Sequence, residues 1–252
     1  MKILLVLLVV LIIFIVLGID YFFYRRNISK DKHSNISFSY LNHYFQQIYV
    51  ITLPQRREYI QNIMNTIKVK CHYFPAIPKD SLDKNKLVSS GFLSPYNKLN
   101  DGQIACHLSH ISVLKKFLES NSRNCLIFED DLKMPEAYNL NLNNTLSLIP
   151  SDYDIIYLGR CWDNCRKSTP INGLVLKCYA PQCRHAYGVS RKGAQKIIEL
   201  SQPLEKAGDL TISKYVSRGQ IIAYAPRKSV FFQNREQMGS NLNNFNIQKE
   251  CV

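Results

Sequence analysis

No run of Lys and Arg in this sequence is interleaved with aromatic residues, and no segment repeats. The first absence removes the usual footprint of a nucleic-acid binder, so nucleic acid is not an expected partner. The second removes repeat architectures. Acids are scarce too: 19 Asp and Glu stand against 32 Lys and Arg, a formal net charge of +13 over 252 residues. Such an excess favours an anionic partner, whether nucleotide diphosphate, membrane phosphate or acidic glycan, or else solvates a basic surface. Carboxylates dispersed widely enough to frame a two-metal phosphoryl-transfer or nuclease centre are also missing. What remains is 46% hydrophobic, with 15 Tyr and 12 Phe. That is enough apolar material for one sizeable domain.

Residues 3–19 are apolar throughout and leave no polar face. As a helix, this run extended to Tyr24 would measure about 33 Å, enough to cross a bilayer. Tyr21, Phe22, Phe23 and Tyr24 suit a membrane interface, with Arg25 and Arg26 among the headgroups. A cleaved signal peptide is the rival reading, but the run is longer than a usual signal core. The expectation is therefore a transmembrane anchor over 1–24, a polar stem over 25–46, a catalytic domain over 47–240 and a loose tail over 241–252.

Within the domain, strand-like and helix-like patterns alternate. QIYVITL reads as a first strand, and Ile60, Ile63, Met64 and Ile67 form one helical face. HYFPAI is a second strand, followed by a polar, loop-like stretch over 79–99. Asn100 or Asp101 can cap a helix in which Ile104, Leu108, Ile111 and Leu118 recur at helical spacing. CLIF, DIIYLG, AYGVS and QIIAYA are further strands, and RKGAQKIIEL and 209–217 are helices. The alternation predicts an α/β fold with a mixed, mainly parallel sheet flanked by helices.

Three segments carry chemistry. In Ile127-Phe128-Glu129-Asp130-Asp131 an apolar strand runs straight into three acids. Ligands of open α/β sheets bind beyond the carboxyl ends of strands. Crowded like charges there call for a cation, and a hard divalent ion shared with diphosphate oxygens fits. The plainer reading is an exposed acidic turn. In DGQIACHLSHISVLKK, Gln103, His107 and His110 share one helical face, while Gly102, Cys106, Ser109 and Val113 form a small-residue face. The histidine pair could hold a metal, but no third ligand is evident, and a helix N-terminus also suits a phosphate. Arg184-His185-Ala186-Tyr187 precedes Ser190-Arg191-Lys192-Gly193, a strand, turn and helix with Ser190 as cap.

These segments occur in order with YVITLPQRREY, FPAI, LIFEDDLKMP, DYDIIYLG, HAYGVSRKGAQKI and GDLTISKYV. Together, over residues 47–240, they resemble glycosyltransferase family 25, which includes lipooligosaccharide and procollagen galactosyltransferases. The resemblance implies a GT-A-like, Rossmann-related fold, a UDP-sugar donor, Mn²⁺ (or Mg²⁺) and transfer with inversion to a glycan or protein hydroxyl. It implies that the acidic triplet acts as a DxD motif, with Glu129 facing ribose or metal, Asp131 ligating the metal and Asp130 within the donor site. Arg56 and Arg57 would lie near the nucleotide, with His107 and His110 also on the donor side. Asp209 would lie near the acceptor as the proton-accepting base, with Asp101 as its rival. An inverting transfer needs such a carboxylate. The family often has Gly-Glu-Ile-Gly-Cys where this chain has Gly102-Gln103-Ile104-Ala105-Cys106. Some family members are non-catalytic adhesion or binding proteins, and that is the alternative function.

The compartment signals conflict. Arg25, Arg26, Lys30 and Lys32 follow the apolar run while only Lys2 precedes it, which would keep the domain cytosolic. Sequons at Asn27, Asn35 and Asn143 argue for the secretory lumen. So do four cysteines crowded at 161, 165, 178 and 183, whose spacing is not that of a zinc finger or ribbon. The expectation is a type II glycoprotein of the endoplasmic reticulum or Golgi with a disulfide within 161–183.

Overall fold

The computed structural model describes residues 37–135 and 142–234. Its centre is an eight-stranded sheet in the order β2-β1-β3-β8-β5-β9-β7-β6. The strands are β1 (Gln47–Thr52), β2 (His72–Pro75), β3 (Asn124–Glu129), β5 (Ile155–Gly159), β6 (Thr169–Pro170), β7 (Val175–Lys177), β8 (Ala186–Ser190) and β9 (Ala223–Pro226). All except β7 and β8 run in one direction. The expected mixed, mainly parallel α/β sheet is therefore present. A separate ribbon joins β4 (Leu132–Lys133) to β10 (Phe232–Gln233).

Side chains along the central strands alternate between two cores, as the two-residue period of a strand requires. On one face Tyr49, Ile51, Cys125, Ile127, Ile155 and Tyr157 pack with helices α4 (Asp101–Leu118), α6 (Arg191–Leu200) and α7 (Gly208–Ser217). On the other, Ile48, Val50, Leu126, Phe128, Ile156 and Leu158 meet α1 (Leu41–Tyr44), α2 (Arg57–Thr66) and α5 (Leu142–Ser147). With both faces covered, the central strands read as continuous apolar runs. Ile60, Ile63 and Met64 of α2 are buried as their spacing predicted. Ser190 caps α6 through its bond from the Gly193 N–H.

Four features differ from expectation. The packed fold begins before Gln47, because Phe38, Leu41 and Phe45 are buried in the second core. The stretch 79–99 holds a short helix, α3 (Lys84–Ser89), capped by Asp83. The strand AYGVS runs antiparallel to both its neighbours. The cysteine-bearing excursion also contributes β6 and β7 to the sheet edge beside β9. Among the described residues no helix is long and apolar enough to cross a membrane. The anchor expected over 1–24, most of the stem and the tail lie outside the described residues.

Candidate functional site

One end of the central strands gathers the chemistry. The carboxyl ends of β1 and β3 meet the start of the reversed strand β8 there, with Ile51 opposite Glu129 and Phe128 opposite Ala186. Reversing β8 brings Arg184, His185 and Tyr187 to the acids, which a parallel strand would have carried to the far end. The Glu129 N–H donates to the His185 carbonyl at 2.9 Å and fixes the end of β3.

The three acids then part. Asp130 is buried and supports the scaffold: its carboxylate accepts the Leu53 N–H at 2.8 Å and pairs with Arg56 at 3.2 Å. Arg56 thereby stands beside the acids. Arg57 does not, since its guanidinium lies over the Tyr73 ring at 3.5 Å. Glu129 bonds His110 Nε2 at 2.8 Å, and His110 Nδ1 meets the Tyr187 hydroxyl at 3.1 Å. Burial, then Arg184, pushes His110 well below its usual pKa, so the ring is neutral. A carboxylate can only accept and the phenol can donate, which places the ring proton on Nε2. Burial, then the Asp130 and Asp209 charges, raises the Glu129 pKa against opposition from His185 and Arg184.

Asp131 is only half satisfied. One oxygen accepts from Gln233 Nε2 at 2.9 Å, while the other, Oδ1, is buried and has no hydrogen-bond partner among the described residues. Burial, then Glu129 and Asp130, pushes its pKa up to about 7. A buried, unpaired carboxylate oxygen beside two further acids is costly unless a cation completes it. This donor set therefore fits a hard divalent ion, held by Asp131 with Glu129 beside it. Two other clusters do not fit. Cys161, Cys183 and His185 converge, but the two sulfurs are bonded to each other. Cys106, His110 and Glu129 converge as well, but Glu129 already bonds His110 Nε2 and the Tyr187 hydroxyl occupies Nδ1, so neither ring nitrogen is open to an ion in this arrangement.

A second layer lies behind the acids. His107 on α4 is buried, pushed well below its usual pKa by burial and then Arg184, and its Nδ1 lies 3.4 Å from Arg184 Nη2. Burial opposes the charge on Arg184, but Tyr187, Cys106, Asp209 and Glu129 outweigh it. Gly208 opens α7 against this pair, and a Cβ there would fall 2.2 Å from His107 Nδ1 and 2.5 Å from Arg184 Nη2. The next residue, Asp209, accepts the Cys183 N–H at 3.2 Å. Asp209 thus belongs to the cluster. Its rival Asp101 pairs instead with Lys84, with about half of its side chain exposed. Gln103 completes a capping box with Asn100, each side chain accepting the other's N–H. A Gln serves that role as well as a Glu does.

Glu129, Asp130, Asp131, Arg56, His107, His110 and Asp209 are thus assembled, and Arg57 stands apart. Arg184 and Tyr187 stood in a segment flagged from sequence but were given no site role there, and Gln233 was not flagged. The available signal was a cation directly before a wholly apolar strand, which gains meaning only once that strand is reversed.

The sequence pattern of glycosyltransferase family 25 (LPS biosynthesis protein) matches residues 45–212. Among curated proteins, the chain is 26% identical over 180 residues to procollagen galactosyltransferase 1 of Danio rerio, covering 64% of this chain and 30% of that protein. It is 27% identical over 179 residues to inactive glycosyltransferase 25 family member 3 of Homo sapiens, covering 64% and 30%. A glycosyltransferase 25 family member of Aedes aegypti is 29% identical over 175 residues, covering 63% and 28%. The chain thus spans less than a third of the length of these relatives.

Proposed function

The chain belongs to glycosyltransferase family 25, and from that premise we propose that it transfers a hexose, galactose, from a UDP-sugar to a hydroxyl of a glycan or protein, with inversion and with Mn²⁺ or Mg²⁺. The observation that carries this reading is the buried, unpartnered Asp131 oxygen beside Glu129 at the carboxyl end of β3. When bound, the ion would supply a positive charge for the departing diphosphate. Asp131 and Glu129 are the residues that would hold it.

The chain's own groups account for the rest. Arg56, tethered by Asp130, faces the donor side as a fixed cation for phosphate. Neutral His110 orients Glu129 and is itself fixed by Tyr187. Asp209, held by the Cys183 N–H, is the carboxylate for the acceptor's proton. Buried Arg184 lies among Glu129 and Asp209 and lowers the cost of carrying both charges at once.

Relatives named inactive give the second reading some weight: a non-catalytic adhesion or binding protein on the same fold. The two readings separate on one experiment. Purified protein is incubated with UDP-galactose, Mn²⁺ and candidate acceptors, and the anomeric proton of the product is followed by NMR. A β-linked product from the α-linked donor supports inverting transfer. Retention refutes the stereochemistry, and donor binding without product favours the binding protein.

The proposed setting is a type II membrane glycoprotein with its domain in the lumen of the endoplasmic reticulum or Golgi. A disulfide joins Cys161 and Cys183, Cys165 is also disulfide-bonded, and Asn143 of one sequon is exposed. These features support an oxidising, glycosylating compartment.

A further inference from the structure

We propose that the Cys161–Cys183 disulfide is a positioning clamp that sets the distance between the two site carboxylates Asp131 and Asp209. The proposal rests on the reading of those residues as metal ligand and base.

The bond closes the neck of the excursion that leaves β5 and returns into β8, joining residues 22 apart in sequence. Its Cys183 end bonds Asp209 directly, and its Cys161 end reaches Asp131 through the side chain of Gln233. On the Cys183 side the backbone turns into the left-handed region, with φ of 64°, and the Cys183 N–H meets Asp209 at 3.2 Å. A non-glycine residue held there is uncommon and needs support from its surroundings. On the Cys161 side, Sγ packs 3.3 Å from Gln233 Oε1. An oxidised sulfur has no proton, so this is a packing contact rather than a hydrogen bond. The other end of the same amide, Nε2, donates to Asp131 at 2.9 Å. A continuous path therefore runs from Asp209 through Cys183, Cys161 and Gln233 to Asp131.

Other contacts hold the excursion as a whole. The Cys161 N–H donates to the Gln182 carbonyl at 3.1 Å, and the Gln182 N–H donates to the Trp162 carbonyl at 2.9 Å. The strands β6 and β7 remain joined to β9. Cutting the bond should therefore loosen the two carboxylates without unfolding the neck. This separates a clamp from a staple that serves stability alone.

The test compares the full chain with Cys161→Ser/Cys183→Ser, using Cys165→Ser as the control that keeps the clamp. Readouts are kcat, the donor KM, and Mn²⁺ affinity measured by electron paramagnetic resonance without donor. The double variant should lose about 10- to 100-fold in kcat, as expected for a displacement near 1 Å. Its donor KM should stay within about 3-fold, and Mn²⁺ should bind more weakly. If the double variant does not fold, folded Cys165→Ser protein is treated with a dithiol instead. The dithiol closes to its own cyclic disulfide and leaves Cys161 and Cys183 as two thiols. The same losses should appear and reverse on reoxidation. Wild-type kcat and Mn²⁺ affinity without the bond would overturn the clamp alone. An oxidised wild-type protein that neither binds Mn²⁺ nor transfers sugar would overturn the site reading, and the clamp with it.

Discussion

Replacing Gly208 by Ala adds one methyl group at the contact between α7 and the core of the site. The new carbon would lie 2.2 Å from His107 Nδ1 and 2.5 Å from Arg184 Nη2, where real contacts are essentially never below 3.0 Å. At least one group must therefore move by roughly 1 Å. Neither moves freely: both are buried, and the His107 ring packs against Phe92 with centroids 5.9 Å apart. Overpacking of this kind costs about 1–3 kcal/mol, partly offset by about 1 kcal/mol from the better helix propensity of Ala. The net loss of about 0–2 kcal/mol corresponds to a melting temperature lower by up to about 8 °C for a domain of this size. Activity should suffer more. Arg184 lies among Glu129 and Asp209, and a 1 Å displacement there is worth about 100-fold in kcat. Circular dichroism melts and steady-state transfer on Gly208→Ala check both numbers. A variant with wild-type melting and wild-type kcat would refute the packing of α7 on the His107–Arg184 pair.

Asp131→Asn should abolish metal-dependent transfer yet stabilise the metal-free protein at alkaline pH. The Asp131 pKa rises from 3.8 to about 7 on folding, so folding costs more as pH climbs through that window. The Asn variant should melt higher than metal-free wild type at pH 8 and match it more closely at pH 4; an equal difference at both would contradict the assignment. Asp209→Asn should lower kcat by about 100-fold or more while donor binding persists, measured by calorimetry with UDP-sugar. A collapse in donor affinity with kcat intact would move Asp209 to the donor site. Lys196→Met should destabilise the fold by about 3 kcal/mol, because it removes the cation at 2.5 Å from the fully buried Asp154 carboxylate and leaves it the neutral Ile222 N–H as donor. Urea denaturation reads this directly, and a change under about 1 kcal/mol would show that the pair is solvent-screened.

The strands and helices flanking the site were legible because both faces of the central strands are buried and α2 has a one-sided apolar face. The acidic triplet was legible because it follows an apolar strand directly, at the carboxyl end where ligands of open α/β sheets bind. Strand direction was not legible: AYGVS carries the same apolar pattern whether it runs up or down, so Arg184 and Tyr187 could not be assigned to the site. The roles within the triplet were also hidden. Asp130 resembles its neighbours in sequence, and only the positions of Leu53 and Arg56 make it a tether. Phe38, Leu41 and Phe45 sit among Asn, Ser and His, so local composition disguised their burial. Gln233 lies 102 residues from Asp131, and only the pairing of β10 with β4 brings them together.

The central claim is that the carboxylates at the end of β3 serve metal-dependent sugar transfer. The most direct measurement incubates purified protein with a panel of nucleotide sugars, with Mn²⁺ or with EDTA, alongside Asp131→Asn, and reads nucleotide release and glycosylated product by mass spectrometry. Turnover is expected with UDP-galactose and Mn²⁺, and is lost in EDTA and in the folded variant. Undiminished product in EDTA, or from Asp131→Asn, would contradict it.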